Sequence, residues 1–445
     1  MDAETMDRLL RQRISTDTRL LKKGDVFFAL IGKRFDAHDF ILEALGKGVS
    51  HFVVSDRTKV KTEWLTQADF VFVNDTLTAY GDLARYHRQK FKVPAVAVTG
   101  STGKTTVKEL LEHLLSSKFR TLKNRGTENN LVGVPKSLLQ LEQATQVMVL
   151  EMGTNAPGEI ERLSSIIRPQ IAILTQIGHS HLEGLKDLQG VREEKLSVLK
   201  HLDRGGLLVV NGEDPMLTDV KSGVHRVIRV GFDRALCEVA AERILGTAEG
   251  TVFYWSGLRM ETQLVGRHNV LNCLLALQAA SALGVASEAL QKALAVFKAV
   301  PGRLTIKKIA NMTFLDDSYN SNPTSFAAAI ETLSGIRTDG KKGVVCGDML
   351  ELGPEAEAFH RELGRALARS GFHYVVACGT QSAALAEEAV QSGFPRDRIV
   401  HVKDSVEAGR ACQKFASSGD WVLVKGSRGM QMEKVFECYT SCSTR

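Results

Sequence analysis

The feature that most constrains this chain is a glycine-rich turn that joins an apolar strand to an amphipathic helix. Residues 95–100 read AVAVTG, and residues 101–115 continue as STGKTTVKELLEHLL, with apolar positions at helical spacing. A unit of this kind brings backbone N–H groups and a helix N-terminus close to a phosphate group. It predicts a phosphate loop on a parallel sheet, in a shortened variant, because Val98 stands where the usual pattern has a glycine.

The loop predicts specific contacts with ATP. Lys104 is expected to reach the β- and γ-phosphates, and the hydroxyl of Thr105 is expected to bind Mg²⁺. Glu151 directly follows the apolar run VMVL, where phosphate-loop proteins keep an acidic metal partner; a charge at the start of the next helix is the alternative. The loop residues predicted to bind ATP are Gly100, Ser101, Thr102, Gly103, Lys104, Thr105 and Thr106.

Apolar runs alternate with helical patterns along all 445 residues, which predicts an α/β fold with several domains. Residues 1–93 predict a small N-terminal α/β domain. Residues 94–300 predict a central mononucleotide-binding domain with a mostly parallel sheet and an antiparallel, hairpin-rich stretch at about 225–266. After a linker at 299–304, residues 301–445 carry four strand–turn–helix units and predict a doubly wound, Rossmann-like domain.

A small excess of basic residues raises the question of a nucleic-acid partner. The chain has 57 Lys and Arg residues against 51 Asp and Glu residues, a formal charge of +6. Because this excess is spread over all three predicted domains, a nucleic-acid-associated ATPase, which needs one basic patch with aromatic residues, is disfavoured. The mild positive field suits small polyanions, so we expect small-molecule substrates and no nucleic acid.

Neither a signal peptide nor a membrane span is predicted. The first 15 residues are charged throughout, and no stretch approaches the roughly 18 apolar residues that a span needs. The seven cysteines, at positions 237, 273, 346, 378, 412, 438 and 442, have neither metal-site nor disulfide-framework spacing. We therefore expect a cytoplasmic protein with reduced thiols, and a monomer.

Two weaker signals follow the phosphate loop. His179 and His181 lie just beyond the run QIAILTQIG, at the carboxyl end of a strand, where α/β sheets bind ligands, although a loop histidine is more commonly just exposed. Lys195 lies on a helix directly after Glu193 and Glu194, and its ordinary interpretation is a solvated charge.

Four separated motifs, in order, resemble those of the Mur ligases, the ATP-dependent amide-forming enzymes of peptidoglycan synthesis, and the likeness covers essentially the whole chain. They are GSTGKT at 100–105, the asparagine pair and Gly-x-Pro of NNLVGVP at 129–135, HNVLN at 268–272, and the Gly-Arg pair at 302–303 in the linker.

The resemblance implies a metal centre. Together with Thr105, Glu151 and His181 would complete two Mg²⁺ sites, and Lys195 would carry a carbamate, formed when CO₂ adds to its neutral amine. A carbamate is a hard oxygen ligand, whereas an ammonium group would repel Mg²⁺. The expected catalytic residues are therefore Lys104, His181 and Lys195, although the preceding residues 191–194, VREE, differ from the small and basic residues expected there.

The resemblance also implies ligand contacts outside the loop. Asn269 and Asn272 are expected on the adenine side of ATP, and Arg303 and Asp317 are expected to reach ATP from the linker and the third domain. The N-terminal residues expected to bind the UDP end of the substrate are Ser15, Thr16, Asp17 and Arg19.

Three C-terminal motifs resemble the branch of the family that adds D-alanyl-D-alanine: DDSYNSNPTS at 316–325, GDMLELG at 347–353 and VKGSR at 424–428. The Asp-Asn-Pro-Arg motif typical of the branch that adds the third amino acid does not occur in the sequence. Lys425, Ser427 and Arg428, after the strand WVLV, are candidates for binding the dipeptide carboxylate, with a plain surface turn as the alternative.

The implied function is an ATP-dependent amide ligase that joins D-alanyl-D-alanine to UDP-N-acetylmuramoyl-tripeptide through an acyl phosphate, in cytoplasmic peptidoglycan precursor synthesis. Such a step serves the cell wall, and with it cell shape and division. The alternatives are another Mur-type or folylpolyglutamate synthase-like ligase, and a phosphate-loop switch that binds nucleotide without joining substrates. The sequence leaves open whether the third residue of the tripeptide is diaminopimelate or lysine.

Overall fold

A computed structural model describes residues 1–32, 34–221 and 223–440. The first of its four sheets is parallel, with strands in the order β1-β2-β3-β4. The strands are β1 (Ile14–Ser15), β2 (Val26–Phe28), β3 (His51–Val54) and β4 (Asp69–Phe72), and the helices are α1 (Ala3–Leu9), α2 (Ile41–Gly46) and α3 (Thr76–Gln89). Alternate residues of β2 face two small cores, Phe27 with Ile41 and Phe52, and Phe28 with Leu83.

The second sheet has seven parallel strands in the order β11-β10-β9-β8-β5-β7-β6. They are β5 (Ala95–Thr99), β6 (Thr121–Lys123), β7 (Val147–Glu151), β8 (Ile171–Leu174), β9 (Leu207–Asn211), β10 (Arg226–Gly231) and β11 (Val239–Ala240). The β5 strand lies between β7 and β8, and Val98 pairs with Glu151. Because these strands are parallel, their carboxyl ends lie side by side, and there we find the phosphate loop, Glu151 and the segment after β8.

Helices cover both faces of this sheet, and apolar cores fill the space on each side. The helices of this region are α4 (Lys104–Leu115), α5 (Gly133–Leu138), α6 (Glu159–Ile167), α7 (Leu182–Leu185), α8 (Leu188–Leu196), α9 (Arg267–Ala282) and α10 (Ser287–Val296). Helix α4 follows the loop directly and packs against α9, which brings the 268–272 segment beside the phosphate loop.

The predicted antiparallel stretch at about 225–266 is only partly correct. An antiparallel sheet of β12 (Glu242–Gly246), β13 (Thr251–Trp255) and β14 (Leu258–Thr262) is present, but β10 and β11 extend the parallel sheet instead. Near the edge of a parallel sheet, β10 buries Ile228 and Val230 and leaves its first residue exposed. This alternation is the same one that an antiparallel hairpin strand shows, so the pattern does not distinguish the two.

The last sheet has six strands in the order β15-β16-β20-β17-β18-β19, parallel except for the β15–β16 pair. They are β15 (Thr305–Ile309), β16 (Met312–Asp317), β17 (Lys342–Gly347), β18 (Tyr374–Cys378), β19 (Ile399–Val402) and β20 (Trp421–Lys425). The helices are α11 (Pro323–Gly335), α12 (Ala356–Arg369), α13 (Ser382–Gln391), α14 (Ser405–Phe415) and α15 (Glu437–Thr440). The four predicted units are present, and β15 and β19 are additional.

The α/β class and the predominantly parallel sheets are confirmed; the domain limits at 93/94 and 300/301 stay predictions. In the part of the chain that the structure describes, no helix is both long and apolar enough to cross a membrane. The six described cysteines are free and all but Cys438 are buried, while Cys442 lies outside the described residues.

Candidate functional site

The phosphate loop is a tight turn that only glycine can form at Gly103. This residue opens α4 with φ of +81°, and a Cβ there would lie 2.5 Å from Oδ1 of Asn272. The loop is held against the segment after β8, because the Ser101 N–H donates to the Gln176 carbonyl at 2.7 Å and the Thr102 hydroxyl to its Oε1 at 3.1 Å. The backbone is therefore shaped before any nucleotide arrives.

The side chain of Lys104 folds back across this loop. Its Nζ donates to the carbonyl of Gly100 at 2.8 Å and to that of Ser101 at 3.3 Å. Burial lowers the pKa of Lys104; the charge of Glu151 opposes this effect and that of Arg303 adds to it. Lys104 is half-buried, and because its hydrogen-bond partners are neutral carbonyls, its charge is available to bind an anion.

Glu151 is buried, with 1% of its surface exposed, and only one of its carboxylate oxygens is satisfied. Oε1 accepts a hydrogen bond from Nδ2 of Asn129 at 2.7 Å. Asn124 holds the backbone of Glu151 with two further hydrogen bonds. Among the described residues Oε2 has no hydrogen-bond donor, and the nearest cation is Nζ of Lys108, at 3.8 Å. A buried carboxylate oxygen without a donor is the arrangement that a metal ion would complete.

Lys195 is completely buried, and its Nζ has no hydrogen-bond partner within the described ranges. Burial, followed by the nearby charge of Lys104, lowers its pKa well below the usual lysine value, which favours the neutral amine. The preceding residue anchors α8, because the Glu194 carboxylate accepts hydrogen bonds from the Gly158 and Ile160 N–H groups, each at 2.7 Å. The structure therefore excludes the solvated-charge interpretation of Lys195.

The ion-pair partner of His181 lies in the C-terminal region of the chain and not in the central sheet. Its Nδ1 lies 2.8 Å from Oε2 of Glu351, and the ring of His179 packs on Phe359 with centroids 4.8 Å apart. The loop is joined to the phosphate loop on its other side, where the Ser101 hydroxyl donates to the Gly178 carbonyl at 2.9 Å.

One cavity lies between the phosphate loop, the start of α9 and the carboxyl ends of β16 and β20. Asn269 and Asn272 are bonded to each other at 3.0 Å on its α9 side. The predicted residues that line it are Ser101, Thr102, Gly103, Thr106, Asn269, Asn272, Arg303, Asp317 and Lys425. His268 also lines it, and burial lowers the pKa of this histidine to about 4, so the ring is neutral at pH 7.

The linker places Arg303 over the loop. Gly302 has φ of +71°, and the guanidinium of Arg303 lies 4.1 Å from the ring centre of Tyr319 and 3.4 Å from Oγ1 of Thr105. Asp317 accepts a hydrogen bond from the Leu304 N–H at 3.2 Å. These contacts connect the two large domains directly beside the cavity.

The three residues predicted to bind an amine substrate have different surroundings. Lys425 is buried and forms an ion pair with Asp317, and Ser427 accepts a hydrogen bond from the Leu350 N–H at 2.8 Å. Arg428 is exposed and pairs with Glu433 at 2.8 Å. Lys425 and Ser427 therefore hold neighbouring loops, and Arg428 is the one of the three that solvent reaches.

The N-terminal residues predicted to bind the UDP end lie at a second cleft. Ser15, Thr16 and Asp17 line it together with eight of the residues between positions 127 and 140. Arg19 does not line the cleft; its exposed guanidinium pairs with Asp17 at 2.7 Å and lowers the pKa of that carboxyl. The Lys and Arg side chains that line the cleft are Arg13 and Lys136.

The donors present suit a hard divalent cation. Within the described residues, Glu151 Oε2 and Lys195 Nζ are both buried without a hydrogen-bond partner, and a carbamate would turn the second into an anionic oxygen ligand. In the described part of the chain no three His, Cys, Asp or Glu side chains cluster as a complete metal site. A complete metal site would therefore also need the hydroxyl of Thr105 and a carbamate on Lys195 as ligands.

Sequence reasoning missed four residues of this site. Lys108, Asn124 and Asn129 surround Glu151, and Glu351 faces His181. Asn129 belongs to a motif that had been noticed, and Lys108 lies one helical turn after Lys104, so both had a local signal. No local signal in the sequence connects Glu351 with His181, which lies 170 positions earlier.

Comparisons with known proteins agree along most of the chain. A family model for the Mur ligase middle domain matches residues 98–280, and one for the Mur ligase, glutamate ligase domain matches residues 302–428. The UDP-N-acetylmuramoyl-tripeptide--D-alanyl-D-alanine ligase of Bacillus subtilis (strain 168) is 35% identical over 425 residues, which cover 95% of this chain and 92% of the relative.

Two solved structures are similar to this chain over nearly its whole length. A crystal structure of MurF from Acinetobacter baumannii has a TM-score of 0.89 and 30% identity, and the match covers 99% of this chain and 98% of that one. The MurF ligase from Thermotoga maritima in complex with ADP has a TM-score of 0.87 and 28% identity, and the match covers 99% of each chain.

Proposed function

Because this chain belongs to the Mur ligase family, we propose that it joins D-alanyl-D-alanine to UDP-N-acetylmuramoyl-tripeptide with ATP as the energy source. One observation carries the proposal: the phosphate loop and the carboxyl ends of β16 and β20 line the same cavity. ATP on one wall and an amine arriving at the other can therefore meet.

The reaction has two steps. A carboxylate oxygen of the tripeptide attacks the γ-phosphorus of ATP, ADP leaves, and an acyl phosphate results. The amine of D-alanyl-D-alanine then attacks the acyl carbon, phosphate leaves, and an amide remains. Both steps concentrate negative charge, which the Nζ of Lys104 and the N–H groups of the loop would stabilise.

Thr105, Glu151, His181 and Lys195 are the residues that would hold Mg²⁺. Bound there, Mg²⁺ would neutralise part of the negative charge of the carboxylate and the phosphates, which otherwise repel each other. The buried Oε2 of Glu151, which accepts no hydrogen bond from the described residues, supports this role. The neutral amine of Lys195, favoured by its burial, supports carbamate formation, because only an uncharged amine can add CO₂.

The contacts of Arg303 support a role in domain closure. It bridges the linker, Tyr319 and Thr105, so a rotation of the C-terminal domain about Gly302 would break these contacts. Closure excludes water that would hydrolyse the acyl phosphate. We assign Arg428, which is accessible, to binding the dipeptide carboxylate. Lys425 and Ser427 are assigned to holding the loops that position Arg428.

The second cleft fits the UDP end of the other substrate. Its hydroxyl groups and Lys136 can bind a diphosphate, with Ser15, Thr16 and Asp17 on one side, and Arg19 orients Asp17. Both clefts are formed within one chain, which supports a monomer as the working unit. Dependence on ATP and on UDP-linked small molecules supports a cytoplasmic location and no nucleic-acid partner.

An amine panel tests the proposal. UDP-N-acetylmuramoyl-tripeptide, with diaminopimelate or lysine as its third residue, is incubated with ATP and with D-alanyl-D-alanine, D-glutamate, diaminopimelate or lysine, and products are identified by mass. We expect a pentapeptide product with D-alanyl-D-alanine alone, and none with Lys104→Ala. A product with another amine would indicate a different ligase, and phosphate release unaffected by every amine would indicate a nucleotide switch.

A further inference from the structure

The contact between His181 and Glu351 joins two domains through two residues in an unusual conformation. The Nδ1–Oε2 distance is 2.8 Å, and φ is +55° at His181 and +64° at Glu351. Non-glycine residues rarely adopt this left-handed region, and such strain persists where the surrounding structure imposes it, commonly at functional sites.

Hydrogen bonds hold each of the three residues that precede Glu351. The carboxylate of Asp348 accepts hydrogen bonds from the N–H and hydroxyl of Ser382, each at 2.7 Å. The Met349 N–H donates to the buried ring of His360 at 3.0 Å, and the Leu350 N–H donates to the Ser427 hydroxyl at 2.8 Å. The position of Glu351 is therefore a property of the folded C-terminal domain.

His181 belongs to a loop fixed to the phosphate loop. The hydroxyl groups of Ser180 and Ser101 are hydrogen-bonded at 2.9 Å, and the Gly178 N–H donates to the Ser101 hydroxyl at 3.0 Å. On the opposite side the C-terminal domain covers this loop, because a Cβ on Gly178 would lie 2.6 Å from Oγ1 of Thr324. The carboxylate and the imidazole thus come from two separately anchored segments, and a rotation of the C-terminal domain about Gly302 would move them apart.

We propose that Glu351 is a positioning residue that orients His181 for its metal ion in the closed state, so that metal binding and domain closure stabilise each other. The proposal rests on the proposed function, which makes His181 a metal ligand. Histidines that bind metals generally donate their second ring N–H to a carboxylate, a backbone carbonyl or water, and a carboxylate there sets the tautomer and raises the basicity of the other nitrogen. Here that carboxylate comes from another domain, and linkage requires that the effect be reciprocal.

The test compares Glu351→Gln with Glu355→Gln in the full chain. Glu355 is exposed, lies four residues further on and loses the same charge. With ADP present, Mn²⁺ binding is followed by electron paramagnetic resonance, and closure by the radius of gyration from small-angle X-ray scattering. We expect Glu351→Gln to bind Mn²⁺ about 10-fold more weakly and to need correspondingly more Mn²⁺ to compact, while Glu355→Gln behaves as the wild type.

The outcomes separate this inference from the proposed function. Wild-type Mn²⁺ affinity in Glu351→Gln would overturn the inference, and so would weaker binding with an unchanged Mn²⁺ dependence of compaction. Neither readout needs an amide product, so a wild-type protein that joins no substrates would contradict the proposed function alone. Matching urea unfolding midpoints for the two variants are expected, since both side chains lie at the surface.

Discussion

The Nζ of Lys108 lies 3.8 Å from Oε2 of Glu151, with both side chains buried. Lys108 also donates to the carbonyls of Asn124 and Gly126, each at 3.0 Å, and pairs with Glu109 at 2.9 Å. Lys108 therefore joins the helix after the phosphate loop to the segment that holds Glu151. It also compensates the negative charge of Glu151, which has no other cation this close among the described residues.

Lys108→Met is expected to lower the free energy of unfolding by about 3 kcal/mol without divalent cations, because it leaves a buried carboxylate uncompensated. Urea unfolding measures this loss, and Mg²⁺ is expected to recover part of it by neutralising Glu151. Lys414→Met, at an exposed lysine, serves as the control. An equal, small effect of both substitutions would show that Lys108 does not compensate Glu151.

Lys195 is expected to carry a carbamate. Protein equilibrated with ¹³C-bicarbonate, Mg²⁺ and ADP should show a carbamate carbon resonance by NMR that Lys195→Met lacks. Burial lowers the pKa of Lys195, which favours the neutral amine that CO₂ requires, and acidification should remove the resonance by protonating the amine. The same resonance in Lys195→Met, or none in the wild type, would exclude the modification.

His268 predicts a specific loss of stability in acid. Its pKa is about 4 in the folded protein, below the ordinary 6.5, so between these values the unfolded chain binds the proton and the folded protein does not. The free energy of unfolding should therefore fall as pH decreases from 6.5 to 4, by about 2 kcal/mol for this partly buried ring. The same pH dependence in His268→Gln would contradict this assignment; the difference between the two curves isolates His268 from other histidines.

Gly103→Ala tests the shape of the loop. The added Cβ meets Oδ1 of Asn272 at 2.5 Å, and alanine is disfavoured at φ of +81°. We expect ADP affinity, measured by calorimetry, to fall at least about 10-fold, for a cost of roughly 1.4 kcal/mol. Gly205→Ala, also at positive φ but in open space, provides the control; unchanged ADP binding in Gly103→Ala would contradict the proposed contact of this loop with phosphate.

The phosphate loop and the strands before Lys104, Glu151 and His181 could be predicted because each depends on a short, local pattern. An apolar run that ends in polar residues identifies the carboxyl end of a strand, where the ligands of a parallel sheet meet. The pairing partner of a strand is not local information, and for this reason the sequence predicts a hairpin where β10 extends the parallel sheet, and does not predict β19.

The same limit applies inside the site. Lys425 follows a strand as expected, but its environment depends on Asp317, 108 positions earlier, which the fold brings to the adjacent strand end. The burial of Lys195 likewise depends on packing between α6 and α8. Local sequence shows which side chains are available, whereas their charge and accessibility follow from contacts between distant segments.

The most direct measurement follows ¹⁸O from the carboxylate of the tripeptide. If an acyl phosphate forms, the oxygen that attacked ATP leaves with the phosphate, so each amide formed should deliver one ¹⁸O to inorganic phosphate. Mass spectrometry of the phosphate, with D-alanyl-D-alanine present, is expected to show one label per product when the carboxylate is fully labelled. Amide formation with unlabelled phosphate would contradict the acyl-phosphate mechanism.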